Sequence, residues 1–130
     1  MEFPDNLKYT KEHEWIRTED DGSVTIGVTD YAQDQLGDIV FVELPEVGED
    51  PVTKDSPFAV VESVKAVSDV YAPLSGLVAE VNDELPNTPE VINEDPYGDG
   101  WMVRMTLTDP EECEELMSNV EYEELINELS

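Results

Sequence analysis

The apolar residues of this chain come in short runs separated by Gly, Pro, Asp and Asn, and that spacing restricts most of it to short strands. In Val24-Thr25-Ile26-Gly27-Val28 the apolar residues alternate strictly, so one face of a strand is buried. A strand over 13–18 precedes it, and Glu19-Asp20-Asp21-Gly22 is the turn between them. Further strands are predicted over 39–44, 58–63, 66–71, 76–82 and 101–107, with an acidic loop over 46–55 and a turn-rich stretch over 83–99. Helix is scarce. Asp30-x-x-Gln33 has the form of a capping box that opens a short helix ending near Gly37. Asp109-Pro110 offers an N-cap and a first-position proline, and Cys113, Leu116, Met117 and Val120 keep helical spacing. Ser118-x-x-Glu121 starts a second segment, with Tyr122, Leu125, Ile126 and Leu129 on the same stripe. The pattern predicts one mainly β domain with short helices over 1–130, a small barrel or sandwich, with a helical C-terminal extension over 109–130.

Charge narrows the function. Thirty-three Asp and Glu face six Lys and Arg, a net charge of −27. Phosphate backbones and anionic membrane surfaces need cations, so nucleic acid and membrane partners are set aside. Disorder, mimicry of nucleic acid and adaptation to high salt each produce such acidity. The acids are spread along the chain while the apolar periodicities survive between them, which favours a folded protein adapted to salt. No apolar run approaches the ~18 residues of a membrane span, and the first residues have neither a basic nor an apolar leader region. Cys113 is the single cysteine and His13 the single histidine. Neither anchors a metal cluster, and Asp95 to Gly100 lacks the ligand order of a calcium loop. A cytoplasmic protein is the expectation.

Lys65 is one of few cations, and it lies between two strand-forming runs, Phe58 to Ser63 and Ala66 to Tyr71. A hairpin with Val64-Lys65 at its tip follows, although this pair is none of the usual Asn-Gly, Asp-Gly or Gly-containing turns. A lysine at the tip of a rigid hairpin is exposed and accessible to another protein's active site.

Glu62-Ser63-Val64-Lys65-Ala66, followed by Ser68-Asp69-Val70 and Ala72-Pro73-x-Ser75-Gly76, resembles the lipoyl-attachment segment of the glycine cleavage system H protein family. The likeness continues through His13-Glu14-Trp15, Thr25 to Gln33, Leu36 to Pro45 and Val91 to Met102, in that order. Biotin carriers usually flank their lysine with methionines, whereas Val64 and Ala66 stand here. The resemblance implies the barrel-sandwich hybrid of lipoyl carriers and lipoic acid in amide linkage on Lys65, with Glu62 and Gly76 recognised by the lipoylating enzymes. It further implies a carrier without catalysis of its own, shuttling the aminomethyl group of glycine. Its partners are a pyridoxal-phosphate glycine decarboxylase, a tetrahydrofolate-dependent aminomethyltransferase and a flavin-dependent dihydrolipoyl dehydrogenase. The same resemblance places the arm in a sheltering cleft with His13, Glu14, Trp15 and Asp69.

Each of these residues also has a plainer reading. His13 suits a hydrogen-bonded structural role, Trp15 a core, Gly76 a turn and Cys113 a small buried hydrophobe. Rival functions are a scaffold for passing lipoyl groups, the lipoyl domain of a 2-oxoacid dehydrogenase, and an enzyme using Lys65 in Schiff-base chemistry. The absence of a linker and catalytic domain weighs against the second. The exposure of a hairpin lysine weighs against the third.

Overall fold

The computed structural model describes residues 2–48 and 51–129. Its strands are β1 (Lys8–Tyr9), β2 (Glu14–Thr18), β3 (Val24–Val28), β4 (Ile39–Glu43), β5 (Pro57–Ser63), β6 (Val67–Tyr71), β7 (Gly76–Val81) and β8 (Val103–Leu107). Its helices are α1 (Asp30–Leu36), α2 (Val91–Glu94) and α3 (Asn119–Leu129), with a 3-10 helix over Pro110–Glu115. One sheet has the order β1-β2-β3-β8-β7 and the other β4-β5-β6, with every paired strand antiparallel. This is the mainly β barrel-sandwich arrangement expected.

The alternating residues of both sheets meet in the main core, where Ile16, Ile26, Val42, Val61, Leu74 and Met105 are buried together. A second core lies under α3, built from Leu7, Tyr9, Trp15, Tyr122 and Ile126. There the rings of Tyr9 and Tyr122 stack 4.8 Å apart, nearly parallel. Helix α3 thus closes the outer side of β1, a two-residue strand too short to show as a periodicity.

Several local expectations are corrected. Thr29 rather than Asp30 caps α1, accepting from the Ala32 N–H, while Asp30 accepts from the Gln33 side chain. The Asp109 side chain caps nothing, and the turn after Pro110 is 3-10. Ser118 and Glu121 do form the reciprocal capping box. Val120 and Leu129 are exposed, so only part of the α3 stripe is covered. The last strand starts at Val103, and the turn-rich stretch contains α2. Within the acidic loop, residues 49 and 50 lie outside those described.

Candidate functional site

The β5–β6 hairpin carries Lys65 at its tip, exposed, with no ion pair or hydrogen bond to its amine among the described residues. The turn holds without Asn or Gly because Ser63 supplies the missing chemistry. Its Oγ accepts from the backbone N–H of Ala66 at 3.1 Å and of Lys65 at 3.3 Å. Ser63 N–H also donates to the Ala66 carbonyl, a bond that closes the loop over the expected two-residue tip Val64-Lys65.

The tip is braced from outside the hairpin. Val64 N–H donates to the Asp38 carbonyl at 3.1 Å. The segment around Asp38 is in turn held by Asn93 of α2, which donates to the Gly37 carbonyl and accepts from the Ile39 N–H. Gly37 has φ 81, ends α1 and lies beside the Lys65 methylenes. Asn93 belongs to the Asn-Glu-Asp-Pro-Tyr stretch, where its brace is invisible without tertiary contacts.

Below the tip a cleft of about 270 Å³ lies between α1 and the hairpin and reaches β2. Tyr31, Ala32, Gln35 and Leu36 line one wall, and Val61, Ser68 and Val70 the other. His13 and Glu14 stand at the far end.

Glu14 is 2% exposed. Thr10 Oγ1 donates to its Oε1 at 2.7 Å, and the Tyr71 N–H donates to its Oε2 at 3.2 Å. Burial pushes its carboxyl up to about 7, against the pull of those two donors. Glu14 also borders a second cavity of about 300 Å³, which Thr10, Lys54 and Asp55 line with it. Neither Thr10 nor Tyr71 was marked by the sequence. Tyr71 contributes only a backbone amide, which no residue pattern reports.

His13 adopts φ 69, and its Nδ1 lies 2.9 Å from the Tyr122 hydroxyl, which also meets Thr29 Oγ1 at 2.7 Å. Its ring packs on Tyr31, and burial lowers its pKa. It is both a hydrogen-bonded structural residue and a cleft wall.

Trp15 does not join them. Strand alternation turns Trp15 away from Glu14 and into the second core, where its indole N–H donates to the Pro96 carbonyl at 2.9 Å. Asp69 pairs with Val60, is exposed and shares the outer face with Val67, and it borders the cleft at its edge, while Ser68 and Val70 face inward. Glu62 is half-buried on that same outer face. Gly76 lies beyond the far end of the hairpin, where a Cβ would overlap the Thr106 carbonyl oxygen. Close backbone approach, more than a turn, requires glycine there. Cys113 packs against the main core, and burial raises its pKa.

Residues 7–129 match the family model described as "Glycine cleavage H-protein". The glycine cleavage system H protein of Halalkalibacterium halodurans is 58% identical over 126 residues, covering 97% of both chains. That of Anaeromyxobacter sp. is 53% identical over 128 residues, covering 98% of both. The crystal structure of a glycine cleavage system H protein from Mycobacterium marinum superposes with a TM-score of 0.82 at 43% identity, covering 92% of this chain and 94% of that one. The hairpin lysine, its cleft and these likenesses along nearly the whole length lead to one conclusion: the chain belongs to the glycine cleavage H-protein family.

Proposed function

We propose that this chain is a lipoyl-lysine carrier of the glycine cleavage system, with lipoic acid in amide linkage on Lys65. The observation that carries the reading is the placement of Lys65: a free amine on a braced tip, on the hairpin whose inner face walls a cleft with a buried carboxyl in its lining. The residues suit such a group. The wall is apolar along Val61, Val70, Ala32 and Leu36, and the polar end holds Glu14 and His13. When bound, lipoic acid supplies a dithiolane that takes up a one-carbon amine unit together with two electrons.

The chain's own residues orient, shelter and neutralise. Asp38, Ser63 and Asn93 hold the tip, so that a partner meets a fixed target. Tyr31 and Leu36 exclude water from the cleft. Glu14, poised near 7, would be held ionised by a cationic amine brought into the cleft and could accept a hydrogen bond from it. His13 stays neutral and adds no competing charge.

The carrier acts between a pyridoxal-phosphate glycine decarboxylase, a tetrahydrofolate-dependent aminomethyltransferase and a flavin-dependent dihydrolipoyl dehydrogenase, after lipoylating enzymes have loaded it. It does no catalysis itself and works in a cytoplasm of high salt. Recognition by the lipoylating enzymes involves Glu62 beside the tip, whereas Gly76 acts through the fold. The test has two stages. Intact-mass analysis of native protein is expected to show a lipoyl amide on the Lys65 peptide. Loaded protein with glycine decarboxylase and labelled bicarbonate is expected to support glycine–bicarbonate exchange. An unmodified Lys65 in cells that are breaking down glycine overturns the reading.

A further inference from the structure

Four large apolar side chains stand in solvent around Lys65: Val64 at 71% exposure, Val67 at 66%, Val40 at 50% and Phe41 at 47%. Their grouping follows from register. Phe41 pairs with Glu62 and Glu62 with Val67, so the Phe41 and Val67 side chains lie in one row across the outer face of β4, β5 and β6. Val40 adjoins that row at the bulge between Ile39 and Phe41, and Val64 tops it at the tip. No other described element of the chain covers this row. A chain with 33 acids has charge in surplus, and here it places apolar surface beside its reactive amine. Exposed carboxylates of Asp38, Glu43 and Asp69 surround the row.

We propose that this row is the docking face for the enzyme that acylates Lys65, which meets it with an apolar recess edged by Lys or Arg. The proposal rests on the carrier reading of Lys65. Val64 and Val67 flank the amine in the chain, so no pocket can admit the amine without meeting them. The acidic border matches a basic edge and disfavours an acidic one. Once docked, the Lys65 amine attacks the carbonyl of an acyl adenylate. The C–N bond forms as the bond to AMP breaks, the amine proton passes to solvent, and nothing is oxidised or reduced.

The test uses unmodified full-length protein, a lipoate–protein ligase, lipoate and ATP in molar salt, with acylation of Lys65 followed by intact mass. Phe41→Ser/Val67→Ser is compared with Val120→Ser/Leu129→Ser, which removes equally exposed apolar groups from α3. The first pair is expected to lower kcat/KM roughly tenfold or more, mainly through KM, and the second to leave it unchanged. Should the first pair melt early, the isosteric Val67→Thr repeats the comparison. Parent-like kcat/KM in folded tip variants overturns the docking face while leaving the carrier reading intact. Failure of the parent itself to be acylated overturns the carrier reading. Sedimentation that shows the parent associating through this row, with acylation unaffected by the substitutions, assigns the face to a second copy and also overturns the proposal.

Discussion

The backbone N–H of Tyr71 donates to Glu14 Oε2 at 3.2 Å, and this bond ties the lysine hairpin to β2 of the other sheet. Tyr71 sits at the bulged end of the β5–β6 ladder, opposite Pro57. Its amide is therefore available to a side chain that 57 residues of chain separate from it. The cleft ends where these two elements join.

Replacing Glu14 by Gln should change how stability depends on pH. The unfolded carboxyl ionises near 4.5 and the folded one near 7. Between those values the folded chain keeps a proton that the unfolded chain releases, so this group lowers stability as pH rises and lowers it no further above about 7. The full effect is about 3 kcal/mol. Gln keeps an acceptor for Tyr71 and offers its amide to Thr10. Urea unfolding in molar salt should show Glu14→Gln gaining on the parent by roughly that amount between pH 4.5 and pH 8. A constant difference across that range would show that the carboxyl is not perturbed.

Asn93→Ala should loosen the tip from a distance. The Gly37 carbonyl and the Ile39 N–H each lose a partner, at a cost of about 1–3 kcal/mol. The Asp38 carbonyl that holds Val64 then shifts with its segment. Trypsin should nick unmodified Asn93→Ala after Lys65 faster than the parent, at temperatures where both remain folded. Equal nicking rates would mean that the hairpin holds its tip alone.

For Gly76→Ala the prediction separates recognition from folding. A Cβ there meets the Thr106 carbonyl, and the β7–β8 ladder has to open to admit it. A loss of at least ~2 kcal/mol is expected, read as a lowered thermal midpoint. Lower lipoylation should track the unfolded fraction. A fully stable Gly76→Ala that resists lipoylation would instead give Gly76 a direct role in recognition.

Salt should govern the fold as a whole. Among the described residues the ion pairs are Arg17–Glu19, Lys54–Glu115 and Arg104–Glu80, far too few to offset a charge of −27. The reach of each charge grows from about 3 Å at 1 M salt to about 30 Å at 0.01 M. Dialysis from molar to millimolar salt should therefore weaken or abolish the β signal in circular dichroism. A spectrum that stays constant would refute the adaptation.

Periodicity located the longer strands and the lysine hairpin because buried faces repeat every second residue. It missed β1, which has only two residues and is fixed by α3 packing over Tyr9. It also misplaced the α1 cap by one residue, since Thr29 and Asp30 are both good caps and only the backbone angle at Thr29 distinguishes them. At the site, the likeness of His13-Glu14-Trp15 suggested that all three face the arm. The period of the strand forbids this, and it sends Trp15 to the opposite face from Glu14.

The sequence alone determined where the hairpin lysine lies, which runs are strands and that the chain is an extreme polyanion, because these depend on local pattern and composition. The tertiary fold decided what supports that hairpin and what lines the cleft beside it. Glu14 faces a cleft because Tyr71 and Thr10 hold it there, and the tip stands firm because Asn93 braces its neighbour. Contacts between residues so far apart in the chain arise only when the sheets close on one another, and no periodicity encodes them.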